Sequence, residues 1–100
     1  MLLLIYMVKI GKYDYERSNA KGKKLKVVVK KDGKKKTINF GNANAEHYRD
    51  KTGIWSSKDH GDKQRRKAYL TRSAGIKRKD GSLTKDDVFS ANYHARRILW

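Results

Sequence analysis

The chain has 100 residues and no cysteine, and 26 Lys plus Arg stand against 10 Asp plus Glu, for a formal net charge of +16. That length holds one ordinary domain rather than two, and the missing cysteines exclude a disulfide framework and any thiolate metal site. Repulsion among so many cations opposes compaction, and a polyanionic partner relieves it; nucleic acid is the commonest, ahead of anionic membranes and acidic protein surfaces.

In chain order, Met1 to Val8 is apolar. The run falls far short of the roughly 20 residues of a membrane span and lacks the basic leader and cleavage site of a signal peptide. It reads as a buried strand over 2–10. Residues 11–24 are polar and punctuated by Gly11 and Gly22, the pattern of a connecting loop.

A β-hairpin is expected over 24–41. Lys24 to Lys30 is β-branched and half alternating, and Lys35 to Phe40 returns. Asp32-Gly33 between them is a favoured two-residue turn, because both residues must adopt positive φ. This turn pairs Val29 with Lys36, Val27 with Ile38 and Leu25 with Phe40. Leu25, Val27, Val29, Ile38 and Phe40 then share a core face. Lys24, Lys26, Lys30, Lys35, Thr37 and Asn39 share the opposite, cationic face with Val28.

Asp59 or Asp62 can cap a helix over about 60–73, with Gly75 ending it. Its apolar stripe is narrow: Tyr69, Leu70 and the stem of Arg66. Residues 76–87 form a link with a turn at Asp80-Gly81. Ser90 can cap a second helix, 91–100. Ala91, Ala95, Ile98 and Leu99 fall on one side of it, and Asn92, Tyr93, Arg96, Arg97 and Trp100 on the other. The fold class expected is one α+β domain, a small antiparallel sheet packed with two helices.

Two basic clusters stand out. Residues 21–36 hold nine lysines and one acid, and residues 63–79 hold eight basic residues and no acid. Clustered cations gain affinity for phosphates by counterion release without reading sequence. The candidate nucleic-acid contacts are Lys24, Lys26, Lys30, Lys35, Arg65, Arg66 and Arg72. Core roles are expected for Phe40, Tyr69 and Trp55, since so small a domain needs its aromatics for packing. Tyr93, Arg96, Arg97 and Trp100 form a candidate docking surface for a protein partner. His47, His60 and His94 lack zinc-helix spacing, and the chain carries no phosphate loop and no nucleophile elbow. No metal, cofactor or enzymatic activity is therefore expected, and Asp59 and Asp62 read as capping residues.

Several short motifs, taken in order, resemble a family of small basic proteins encoded by large DNA viruses of eukaryotes and by some tailed phages. They are Tyr15-Glu16-Arg17-Ser18, Lys21-Gly22-Lys23-Lys24-Leu25, Asp32-Gly33-Lys34 leading to Thr37-Ile38-Asn39-Phe40-Gly41, His47-Tyr48, Asp59-His60-Gly61-Asp62, Arg65-Arg66-Lys67-Ala68-Tyr69-Leu70-Thr71-Arg72, and Ser90-Ala91-Asn92-Tyr93 to Leu99-Trp100. The likeness runs from about Lys12 to Trp100 and departs from the family at Asn39, where relatives often carry histidine. It implies a viral origin and a setting in the virion or in the infected cell's cytoplasm or nucleus. It supplies no catalytic residue. The leading expectation is sequence-tolerant nucleic-acid binding in genome packaging. Cementing of capsid subunits is the alternative, and a metal-dependent nuclease is third. A membrane partner is not expected.

Overall fold

A computed structural model describes residues 7–100. Four strands, β1 (Met7–Ile10), β2 (Tyr13–Arg17), β3 (Lys23–Lys31) and β4 (Lys34–Asn42), form one antiparallel sheet in the order β1-β2-β3-β4. Helices α1 (Lys63–Ser73) and α2 (Ala91–Ile98) follow. This is the small α+β fold expected, with a four-stranded sheet.

The hairpin has the register its sequence dictates. Leu25 pairs with Phe40, Val27 with Ile38 and Val29 with Lys36. Asp32 (φ 53°) and Gly33 (φ 79°) make the turn, the type whose twist matches that of the flanking strands. The N-terminal strand differs from expectation. Of the range 2–10, only Met7–Ile10 lies within the described residues, and Met7 is exposed rather than buried. Residues 11–24 are not a loop: they contain β2 and the start of β3. Tyr13, Tyr15 and Arg17 alternate with Asp14 and Glu16. Tyr15 sits opposite Val27 and is fully buried, so aromatic burial on one face outweighs the acids on the other.

The core lies on the Leu25 face. Tyr15, Leu25, Val27, Val29, Ile38 and Phe40 meet Ala95, Ile98 and Leu99 of the α2 region. Ser90 caps α2 by accepting from the Asn92 N–H. The helix stops at Ile98, two residues before the expected end, and Ala91 stays exposed while His94 takes a core position. Asp62 caps α1 by accepting from the Gln64 and Arg65 N–H groups. The stripe of α1 is narrow but differs from expectation: Arg66 is exposed, and only Tyr69, Leu70, Ser73 and Ala74 of this region leave solvent. α1 is held through α2: Tyr69 stacks on Trp100 at 4.1 Å, and the Arg96 guanidinium donates to the Leu70 carbonyl and the Ser73 hydroxyl.

One glycine is required by close approach. Gly41 has φ +81°, and a Cβ there would sit 2.9 Å from Leu99 Cδ1 and 3.1 Å from Lys24 Cβ. Gly41→Ala therefore meets both backbone strain and overpacking. The expected loss is about 2–4 kcal/mol of unfolding free energy, read from denaturant melts; an unchanged midpoint would contradict this packing.

Candidate nucleic-acid interface

The strongest concentration of unneutralised charge is the tip of the β3–β4 hairpin. Lys30 pairs across the strands with Lys35, and Lys31 with Lys34. These four and Lys36 are all exposed, and among the described residues none makes an ion pair. Strand alternation puts Lys30 and Lys35 on the outer face and Lys31, Lys34 and Lys36 on the core side, beyond the apolar rows. The only acid within the tip is Asp32 of the turn.

On the core side an open cleft is lined by Lys34, Lys35, Lys36, Arg78, Asp87 and Phe89. Arg78 reaches it from the 76–87 link, where its N–H donates to the Ser82 carbonyl across the expected turn at Asp80-Gly81. Arg78 is ion-paired with Asp87. The Phe89 N–H holds the Asp87 carboxyl below the usual carboxylate range, and the Arg78 and Lys31 charges act in the same direction. The fold thus joins the two basic clusters through Arg78 of the 76–87 link. The signal was its place in the acid-free run of residues 63–79, but only tertiary structure aligns it with the hairpin.

The other nominated contacts divide. Lys30 and Lys35 stand on the outer face as expected. Lys26 is on that face too but is held by Glu16 at 3.1 Å. Arg65 is exposed and pairs with Glu46 at 3.2 Å. Arg66 lies over the Tyr48 ring and donates from Nε to the Trp100 carbonyl at 2.7 Å. Arg72 is exposed on α1. Lys24 is a correction: it is 1% exposed and cannot belong to a phosphate-contacting surface. The segment 43–60 closes over this end of the sheet. Lys24 Nζ donates to the Ala45 carbonyl (2.6 Å) and to His47 Nδ1 (2.8 Å), while Trp55 Nε1 donates to the Lys24 carbonyl (2.8 Å).

That closing segment is organised by two carboxylates. Asp50 accepts from the Thr52 hydroxyl and from the Thr52 and Trp55 N–H groups. Asp59 accepts from the Asp50 N–H and from His47 Nε2 at 2.6 Å. Asp59 therefore does not cap α1; that role falls to Asp62 alone. The result is a relay, Lys24–His47–Asp59. Burial pushes the Lys24 ammonium below the usual lysine range, against the pull of Asp50 and Asp59. Burial and the Lys24 charge push His47 down, against its bond to Asp59.

The nominated docking residues on and after α2 are largely engaged within the molecule. Arg96 braces the last turn of α1, Trp100 stacks on Tyr69, and Arg97 lies 5.0 Å over the Tyr93 ring. Of the aromatics expected in the core, Phe40 is fully buried and Trp55 packs against the core, while Tyr69 is half-buried in the Trp100 stack. His60 packs between Tyr48 and Trp100, and its Nδ1 accepts from the Asp62 N–H.

His94 is a wholly buried core residue. Its Nδ1 accepts from the Tyr15 hydroxyl at 2.8 Å and its Nε2 donates to the Val88 carbonyl at 2.7 Å. Burial raises the Tyr15 phenol and lowers the His94 imidazole relative to their ordinary values. Tyr15→Phe strips His94 Nδ1 of its donor and should cost about 1–3 kcal/mol. Equal thermal stability of the variant and the parent would show that the bond contributes nothing.

Among the described residues no group of three or more His, Asp or Glu side chains is placed to hold a metal ion, and no helix is long and apolar enough to cross a membrane. Comparison with protein-family models, with curated proteins and with solved structures finds no match to this chain.

Proposed function

We propose that this protein binds nucleic acid through its phosphates, without reading base sequence. The observation that carries the proposal is the hairpin tip, where five exposed lysines make no ion pair among the described residues and Arg78 adjoins them. A cation cluster of this kind gains affinity when phosphates release their condensed counterions. Nothing in that exchange depends on base identity. The resemblance in sequence makes packaging of a viral genome the natural setting.

Affinity for unrelated duplexes should be nearly equal and fall steeply as salt rises. The Lys30→Gln/Lys35→Gln double variant should bind all sequences more weakly and flatten the salt dependence by about 0.9 in slope per lost contact. Its stability should stay within about 0.5 kcal/mol of the parent, because the sites are exposed. Salt-independent binding, or one strongly preferred sequence, would overturn the proposal. A variant that binds DNA like the parent but no longer joins assembled particles would show that the charges meet acidic capsid protein instead.

A further inference from the structure

Resting on that reading, we infer that the nucleic acid is duplex DNA in the B form and that helix α1 lies in its major groove. The packed side of α1 is narrow. Tyr69 stacks on Trp100, the Leu70 carbonyl and the Ser73 hydroxyl accept from Arg96, and Arg66 donates to the Trp100 carbonyl. Those contacts fix how the helix is rolled. Gln64, Ala68 and Thr71 are exposed and, at about 3.6 residues per turn, form one stripe on the side away from these contacts. Lys67 and Lys63 border the stripe on one side, roughly 70–105° round the helix, and Arg72 and Arg65 border it on the other, roughly 75–95° round. All four cations are exposed.

A helix with its side chains is about 10–12 Å across. The major groove of B-DNA, about 12 Å wide, admits it, and the minor groove, about 6 Å wide, does not. The major groove of an A-form RNA helix is too narrow for side chains to enter. A helix seated in the B-DNA major groove turns one stripe to the base edges and meets a phosphate strand on each flank. α1 has that layout, with uncharged side chains along the middle and two cations on either side. Ala68 at the centre leaves room for close approach. Of the stripe, only Gln64 carries the amide that bonds adenine bidentately, so this face discriminates little among sequences. Lys63, Lys67 and Arg72 make no ion pair among the described residues, and Arg65 meets Glu46 in an exposed pair at 3.2 Å, which is weak against a phosphate. A single-strand site uses aromatic platforms for base stacking, and the stripe and its flanks include none. Asn92 donates to the Ser73 carbonyl near the start of α2, and Arg66 donates to the Trp100 carbonyl beyond its end. α1 therefore runs antiparallel to α2, with its Arg72 end turned toward Phe89 and the cleft of Lys34, Lys35 and Lys36. The two basic clusters thus follow one another along a groove that holds α1.

The test uses the full chain, which has no cysteine, so Ala68→Cys carries a single thiol at the centre of the stripe. That thiol should cross-link to a duplex whose cytosine bears an activated disulfide tether at N4, in the major groove, and not to one whose guanine bears the tether at N2, in the minor groove. Val28→Cys, exposed on the sheet, should react far more slowly with the N4 tether. At equal salt and length the parent should bind a DNA duplex at least about tenfold tighter than one of its single strands or an RNA duplex. Lys67→Gln/Arg72→Gln, one cation from each flank, should lose most of that preference, whereas Lys9→Gln/Lys21→Gln, an equal loss of charge at exposed sites outside α1, should keep it. Equal cross-linking to both tethers, or an RNA duplex bound as tightly as DNA, would overturn the groove inference while leaving phosphate-driven binding, read from the salt dependence, intact. Failure to bind any probe at low salt would overturn both.

Discussion

Phe40→Ala should lower the free energy of unfolding by about 3–5 kcal/mol, the cost of emptying a close-packed site around a large aromatic. Phe40 has no exposed surface, pairs with Leu25 across the hairpin, and its ring centre lies 5.8 Å from those of Tyr15, in edge-to-face contact, and His94, whose ring is tilted against it. It therefore joins three parts of the molecule: the hairpin, β2 and α2. The void left by alanine cannot close without moving one of them, and a domain of this size has little stability to spare. Val28→Ala is the internal comparison. Val28 lies on the same hairpin but is 46% exposed on the outer face, so its change should cost far less. Urea melts with unchanged slope and a large midpoint shift for Phe40→Ala alone would bear this out. Similar small shifts for both would refute the two-faced sheet.

The hairpin was legible because two independent local signals agree. Alternation sets which residues face the core, and Asp32-Gly33 sets the register. The α1 cap, the end of α1 at Ser73 and the Ser90 cap of α2 are equally local. β2 was missed because Tyr13 to Arg17 is short and half charged, and its pattern becomes a strand only once Tyr15 finds Val27. Lys24 shows the limit of periodicity. Alternation assigns it to the face opposite Leu25, but nothing in a period of two tells whether a distant segment will cover it. His47 and Asp59, which do so, are 12 residues apart and meet through a loop whose shape depends on Asp50. His94 occupies a core position of α2 that an apolar tally overlooks, since its polarity is cancelled by Tyr15 and Val88. The candidate interface was half visible: the lysine cluster is in the sequence, but the meeting of Arg78 with Lys34 to Lys36 belongs to the fold.

Acid should unfold this protein from below about pH 6.5, the ordinary histidine pKa, and two buried histidines are the reason. Both His47 and His94 are held below that value, in each case chiefly by burial. For His94, protonation would also put a hydrogen on Nδ1, where the Tyr15 hydroxyl already donates. For His47 it would set an N–H against the Lys24 ammonium, while Asp59 and Asp50 oppose that repulsion. The sign follows from proton binding. Between the lowered folded pKa and the ordinary one, the unfolded chain takes up protons that the folded chain refuses, so stability is fully present above about pH 6.5 and falls as pH drops. Each histidine contributes a slope of about 1.4 kcal/mol per pH unit in that window, and the pair about 2.7. Urea midpoints from about pH 7.5 down to about pH 5 measure this directly. Lys24→Met separates the two groups. It removes the cation facing His47 Nδ1, so the His47 resonance should titrate at higher pH while His94 stays put, and the acid slope should begin nearer that of a single histidine. A flat stability profile across the window, or a His47 titration unmoved by Lys24→Met, would show that the relay does not control the charge on His47.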